Sequence, residues 1–184
     1  DRVATISNNR PEWNFMDMGL GQAGIIHVAI YPRTRNEDYN YILRHCEPRL
    51  IVVSDNLLYQ RIKPIAGNIS GIKDIYSFNE IKGVRNWTEI TELGKKNKNK
   101  YISDLKSIKE SIKPDETVTL LYTSGTTGNP KGVLLSHNNI ISNIRSISKV
   151  FHFNETHRTL SFLPINHIFE RTVNYYFQTR GISI

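Results

Sequence analysis

An α/β fold, with βαβ units around a mainly parallel sheet, is the class this sequence predicts, and three observations predict it. Short apolar runs recur about every 24 residues, at Val3–Ile6, Ile25–Ile30, Leu50–Val53 and Asp74–Phe78. Segments of helical periodicity lie between them, long enough to carry the chain back for parallel pairing. The L-x-x-L-x-L signature of leucine-rich repeats, the other reading of such a period, is absent. A chain of 184 residues with 39% hydrophobic side chains can build the core this class needs, as one large domain or two small ones.

The elements follow in order. Pro11 is suited to the first turn of a helix that runs through Trp13, Phe15, Met16 and Leu20. Asn36 is expected to cap a second, where Tyr39, Ile42 and Leu43 share a face, and Asp55 a third, through Leu57, Leu58, Arg61 and Ile62. Between Lys82 and Lys113 the pattern predicts a short helix after Thr88, a lysine-rich loop and another helix after Ser103. Thr117–Tyr122 reads as a buried strand and Gly132–Leu135 as a shorter one after a glycine-rich turn. Ser136 can cap a helix that aligns Ile140, Ile144, Ile147 and Phe151. Thr159–Phe162 reads as a strand stopped by Pro164, His167–Arg180 as a helix ended by Gly181, and a further strand is expected to begin at the last residues.

Composition excludes several classes of function. The longest apolar runs fall far short of the roughly 18 residues that span a bilayer. One cysteine forms no internal disulfide, so Cys46 reads as a small buried hydrophobe and the setting as reducing and cytoplasmic. The net charge of +7 is concentrated: seven lysines lie between Gly94 and Lys113 against Asp104 and Glu110. That stretch has a single aromatic, Tyr101, and no arginine, which argues against a nucleic-acid partner. It reads as a solvated lysine-rich surface, with peripheral attraction to a membrane as the second reading. Oligomeric state leaves no signature.

Three decoys are set aside. Gly19-Leu-Gly21-Gln-Ala-Gly24 spells a dinucleotide fingerprint, but it closes a helical pattern instead of following a strand, so helix packing explains it. The sequons at Asn68, Asn86 and Asn154 are expected by chance in an asparagine-rich chain. His167-Ile-Phe-Glu170 has no second histidine at zinc spacing.

Tyr122-Thr-Ser-Gly-Thr-Thr-Gly-Asn-Pro-Lys-Gly132 has the chemistry of a phosphate-binding loop. Gly125, Gly128 and Gly132 let backbone amides turn toward an anion, and Thr123, Ser124, Thr126 and Thr127 add hydroxyl donors. Lys131 adds positive charge, and Pro130 stiffens the turn before it. It is not the Walker loop, since Pro130 precedes the lysine and Gly132 follows it.

Residues 120–133, Leu-Leu-Tyr-Thr-Ser-Gly-Thr-Thr-Gly-Asn-Pro-Lys-Gly-Val, resemble the signature of the AMP-forming, adenylate-forming ligases. Leu163-Pro-Ile-Asn-His-Ile-Phe-Glu-Arg171 resembles the next family motif in its long-chain fatty acid–CoA ligase form. Asp1–Trp13, with Ile30-Tyr-Pro32 and Tyr41-Ile-Leu43, is similar to the start of that branch's large domain. The resemblance implies ATP, Mg²⁺, coenzyme A and a fatty acid: the carboxylate forms an acyl adenylate, and coenzyme A then displaces AMP. It implies that Ser124–Thr127 and Lys131 meet the β- and γ-phosphates, that Thr123 helps hold magnesium, and that His167 lines the acyl and adenylate pocket. A structural helix-start histidine remains the alternative for His167. Glu170 and Arg171 are expected to be ordinary helix-surface partners.

The family's later Tyr-Gly-x-Thr-Glu motif, ribose aspartate and C-terminal lysine are not found in these residues. Residues 1–184 are therefore expected to be an incomplete N-terminal large domain without the small C-terminal domain, inactive by itself. A ligase for another carboxylate and a non-catalytic nucleotide-binding module are the alternatives.

Overall fold

The computed structural model describes residues 1–123 and 128–184. In chain order the elements are β1 (Arg2–Ile6), α1 (Pro11–Gln22), β2 (Ile26–Ile30), α2 (Asn36–Cys46), β3 (Leu50–Val53), α3 (Asn56–Ala66), β4 (Asp74–Ser77), β5 (Arg85–Asn86), α4 (Thr88–Lys96), α5 (Lys98–Ser111), β6 (Thr117–Thr123), β7 (Lys131–Ser136), α6 (His137–Val150) and α7 (Ile168–Thr179). The strands form one sheet in the order β5-β4-β3-β1-β2-β6-β7. All neighbours are parallel except β6 and β7, which form an antiparallel pair. The predicted α/β class with a mainly parallel sheet is the observed one.

Period-two alternation divides the core between the two faces of the sheet. Ala4, Ile6, Val28, Ile30, Ile51 and Val53 pack against Tyr39 and Leu43 of α2 and Leu58 and Ile62 of α3. On the other face, Val3 and Val52 meet Leu20 of α1, and Ala29 and Leu121 meet Trp13. Burial on both sides is why Leu50-Ile-Val-Val53 reads as a continuous apolar run. Each fully buried large apolar side chain contributes about 1.5–3 kcal/mol. Cys46 lies in this core, where burial pushes its thiol up to about 12.

Local signals hold at several termini. Pro11 is at the start of α1. Asp55 accepts from the Leu58 amide at 3.1 Å, and Ser136 forms a reciprocal capping box with Asn139. Gly24, at the end of the glycine-rich decoy, has φ +65°, and Gly21 lies close to the Val118 side chain; both are helix-end and packing features.

Four expectations are corrected. Asn36 is the first residue of α2 and caps nothing; Arg35 precedes it, and the Asn36 amide oxygen accepts from Arg61 at 2.8 Å. The lysine-rich loop is helical, because α4 and α5 are separated only by Asn97 and lysine is a good helix former. Asn97 closes α4 by donating its side-chain amide to the Leu93 carbonyl at 2.8 Å. Thr159–Phe162 forms no strand: the only pairing described there, and at the final residues, is a bridge between Arg158 and Ser183. Side-chain bonds hold that segment instead, with Ser161 donating to Glu170 at 2.6 Å. Finally, Ile140 is buried on α6 but Phe151 lies past its end, 49% exposed.

Candidate active site

The chain leaves β1 toward β2 on one side and crosses back from β2 to β3 on the other. The helices that follow therefore cover opposite faces, and the carboxyl ends of β1 and β2 diverge into a crevice. Two cavities of about 510 Å³ each open along this edge. One lies over the ends of β2 and β6 and is lined by Tyr31, Thr123, Pro130, Asn166 and His167. The other lies between the ends of β1 and β2, and Tyr31, Arg33 and Asn166 line both.

The β6–β7 hairpin brings Thr123 and Lys131, two of the residues expected to bind phosphate, to this edge. Thr123 and Lys131 are cross-strand partners, so the hydroxyl and the ammonium flank the turn that joins the two strands. Ser124, Gly125, Thr126 and Thr127 lie outside the described residues. Gly128 has φ +113°, a conformation that glycine adopts readily and other residues rarely. Gly132 sits inside β7 opposite Tyr122; a β-carbon there would come within 3.0 Å of the Leu120 side chain, so this glycine makes room for packing. His45 of α2 holds the Tyr122 hydroxyl at 2.7 Å, which fixes β6 one residue before Thr123. Lys131 is exposed.

The 163–171 motif approaches from the other side. Asn9, in the loop after β1, donates to the Leu163 carbonyl at 2.7 Å and accepts from the Ile165 amide at 2.9 Å. Asn166 donates to the Ser7 carbonyl at 3.0 Å. These bonds set the entry to α7, where His167 is the N-cap and its Nδ1 accepts from the Phe169 amide at 3.2 Å. In the neutral ring the proton is then on Nε2, and the exposed imidazole can donate it. Thr123 and His167 therefore line the same cavity from opposite elements.

Arg171 corrects the expectation of a helix-surface residue: it is fully buried, and Glu170 is nearly so. Its guanidinium forms a two-armed pair with Asp17 of α1, donates to the Thr119 hydroxyl of β6 at 2.6 Å, and lies 5.4 Å from the centre of the Trp13 ring. Asp17 also accepts from Tyr175 and from His27 Nδ1, the latter at 2.6 Å. Thr5 bonds the other His27 nitrogen at 2.7 Å.

Burial would raise the Asp17 pKa, but Arg171, His27 and Tyr175 outweigh it and hold the carboxyl well below the usual range. Burial keeps His27 below its usual pKa despite Asp17, so the ring is neutral, donates to Asp17 and accepts from Thr5. A protonated ring would leave a net buried charge beside Arg171. The network joins α1, β1, β2, β6 and α7 behind the cavity; each Arg171 nitrogen is bonded within it, and the side chain is enclosed away from the cavity. The sequence carried one signal of it: Asp17 lies on the buried stripe of α1, between Trp13 and Leu20.

The model of the AMP-binding enzyme family matches residues 1–184, the whole chain. The chain belongs to the AMP-binding family. A long-chain-fatty-acid–CoA ligase of Xenopus laevis, ACSBG2, is 35% identical over 90% of this chain and 23% of its own length. A chloroplastic long-chain-fatty-acid–[acyl-carrier-protein] ligase of Arabidopsis thaliana, AEE15, is 29% identical over the whole chain and 27% of its own length. The chain thus spans about a quarter of the length of these relatives. ATP-bound MatB from Rhodopseudomonas palustris shares the fold with a TM-score of 0.72 at 21% identity, over all of this chain and 34% of that one.

Proposed function

We propose that the full-length protein containing this chain is an ATP-dependent long-chain fatty acid–CoA ligase of the AMP-binding family. The observation that carries the reading is the meeting of Thr123, at the rim of the hairpin shared with Lys131, and His167, at the start of α7, on one cavity at the carboxyl edge of the sheet. The whole-chain family match and the long-chain ligases among its relatives support the substrate class.

In the proposed reaction a carboxylate oxygen attacks the α-phosphorus of ATP and pyrophosphate leaves. The coenzyme A thiolate then attacks the acyl carbonyl and AMP leaves. An anion must approach a polyanion in the first step, so preorganised donors dominate, each worth about 3–4 kcal/mol. Ser124–Thr127 and the amides near Gly128 and Gly132 would bind the β- and γ-phosphates, and Lys131 would neutralise the leaving pyrophosphate. His167 Nε2 would donate to an oxygen of the reacting groups. Among the described residues no three His, Cys, Asp or Glu side chains gather to hold a metal. Within residues 1–184, Thr123 would offer magnesium one hydroxyl beside the phosphate oxygens. Residues 1–184 alone are proposed to be inactive, and the single buried Cys46 fits a reducing, cytoplasmic setting.

The test is a substrate profile of the full-length protein. Each methylene buried in an apolar tunnel contributes about 0.8 kcal/mol, so kcat/KM should rise from octanoate to palmitate. Phenylalanine and coumarate should be turned over negligibly, since an ammonium or polar ring would be buried unpaired. A peak at acetate, or preference for an aromatic or amino acid, overturns the long-chain reading. Absence of any acid-dependent exchange of pyrophosphate into ATP overturns the ligase reading itself.

A further inference from the structure

The α4–α5 hairpin is the largest part of the molecule that the proposed reaction leaves unused. All residues of α5 are exposed, although the helix carries Tyr101, Ile102, Leu105 and Ile108. At 3.6 residues per turn, Tyr101, Leu105, Ile108 and Ile112 form one stripe, and Lys98, Ile102, Lys106 and Lys109 form its flank. Ile108 reaches the Gly24 turn at the end of α1, so the C-terminal half of the helix rests on the body of the protein. The N-terminal half does not: Ile102 is 53% exposed and Leu93, across the elbow on α4, is 63% exposed.

Lysines border these residues. Lys98, Lys106 and Lys109 flank Ile102 and Leu105 at helical spacing on α5, and Lys95 and Lys96 close α4 after Leu93. The acids on the hairpin are Glu89, Glu92, Asp104 and Glu110; Glu89 is paired with Arg85, Glu92 with Lys95, and Glu110 lies 3.9 Å from Lys106. No helix of the described residues is long and apolar enough to cross a membrane.

We propose that the elbow of α4 and α5 docks on the surface of an anionic lipid bilayer, with Leu93, Ile102 and Leu105 in the headgroup region and the flanking lysines on the lipid charges. Charge complementarity selects this occupant: an apolar stripe bordered by flexible lysines is the chemistry of a helix lying in the membrane interface. Lysine stems add apolar area while their ammonium groups stay at the phosphates. A nucleic acid would reward arginine and stacking aromatics, and this stretch has no arginine and one tyrosine. The proposal does not rest on the ligase reading, since binding is measured without ATP, coenzyme A or an acid.

The test is sedimentation of the full-length protein with vesicles of phosphatidylcholine alone and with 30% phosphatidylserine. Binding to the anionic vesicles is expected to be at least tenfold tighter and to weaken steeply with added salt. The triple variant K96E/K98E/K106E should lose at least tenfold in affinity, and I102N/L105N several-fold, most visibly at high salt. These side chains are exposed, so the thermal midpoint of both variants should match the parent's. Equal binding to neutral and anionic vesicles, or variants that bind like the parent, overturns the proposal. So does retention on a polyanion resin by these lysines with no vesicle binding.

Discussion

Arg171 and Lys131 are the cations carried by the chain's two motifs, and their surroundings are opposite. Arg171 is fully buried, paired with Asp17 and bonded to Thr119 and Tyr175. Lys131 stands exposed at the start of β7, across from Thr123. A buried charge persists only when its partners satisfy it, and satisfied donors are unavailable to a substrate. An exposed charge beside a cavity contributes little to folding and keeps its donors for a ligand. The difference divides the two motifs: one cation assembles the frame behind the cavity, and the other stands in solvent at the hairpin beside it.

The comparison breaks most visibly at Arg171. Replacing it with Ala should leave Asp17 charged and buried without its cation, destabilising the full-length protein by about 3–5 kcal/mol. Urea unfolding measures this, and a loss under 1 kcal/mol would mean that the network does not hold α7 to the sheet. Lys131→Ala should do the reverse. Acid-dependent pyrophosphate exchange should fall by about 10²-fold or more, while unfolding free energy stays within about 0.5 kcal/mol. Thioester formation from preformed acyl adenylate should suffer far less, and equal losses in both half-reactions would make Lys131 a structural residue.

The acid side of the stability profile sharpens the contrast. His27 is held below its usual pKa in the fold, so the unfolded chain binds more protons as pH falls below about 6.5. Stability is therefore lost on acidification, by at most about 1.4 kcal/mol per pH unit from this one group. Asp17 has its folded pKa lowered too, so its contribution is present above about pH 3.9 and drains away as pH falls through the folded value. Thermal midpoints between pH 8 and pH 5 should show the histidine part, and His27→Gln should flatten it; an unchanged slope would show that His27 is not buried neutral. The smallest effect belongs to a site remote from both cations: Asp55→Ala removes the α3 cap and should cost about 1 kcal/mol without altering exchange kinetics.

Much of the fold and part of the site could be read along the chain, because those features depend on near neighbours. Apolar runs spaced by helical segments determined the parallel α/β architecture. Pro11, Asp55 and Ser136 marked helix starts because a first turn is satisfied by residues within three positions. The glycine-rich stretch of residues 122–132 marked a turn between a buried strand and a shorter one, and β6 and β7 are those two strands.

Tertiary structure decided the rest. Thr159–Phe162 has strand-like side chains, but a strand needs a neighbour, and side-chain bonds to α7 take its place. The lysine-rich segment looks like a loop by polarity, yet its residues favour a helix once Asn97 divides α4 from α5. Arg171 lies 154 positions from Asp17, and its role was hidden until the sheet brought α1, β6 and α7 to one place. The signal the sequence carried, Asp17 on the apolar stripe of α1, says only that a buried polar group must find a partner. Which partner each one found depends on how the chain crosses back over itself, since a long-range ion pair has no period and no local spacing to announce it.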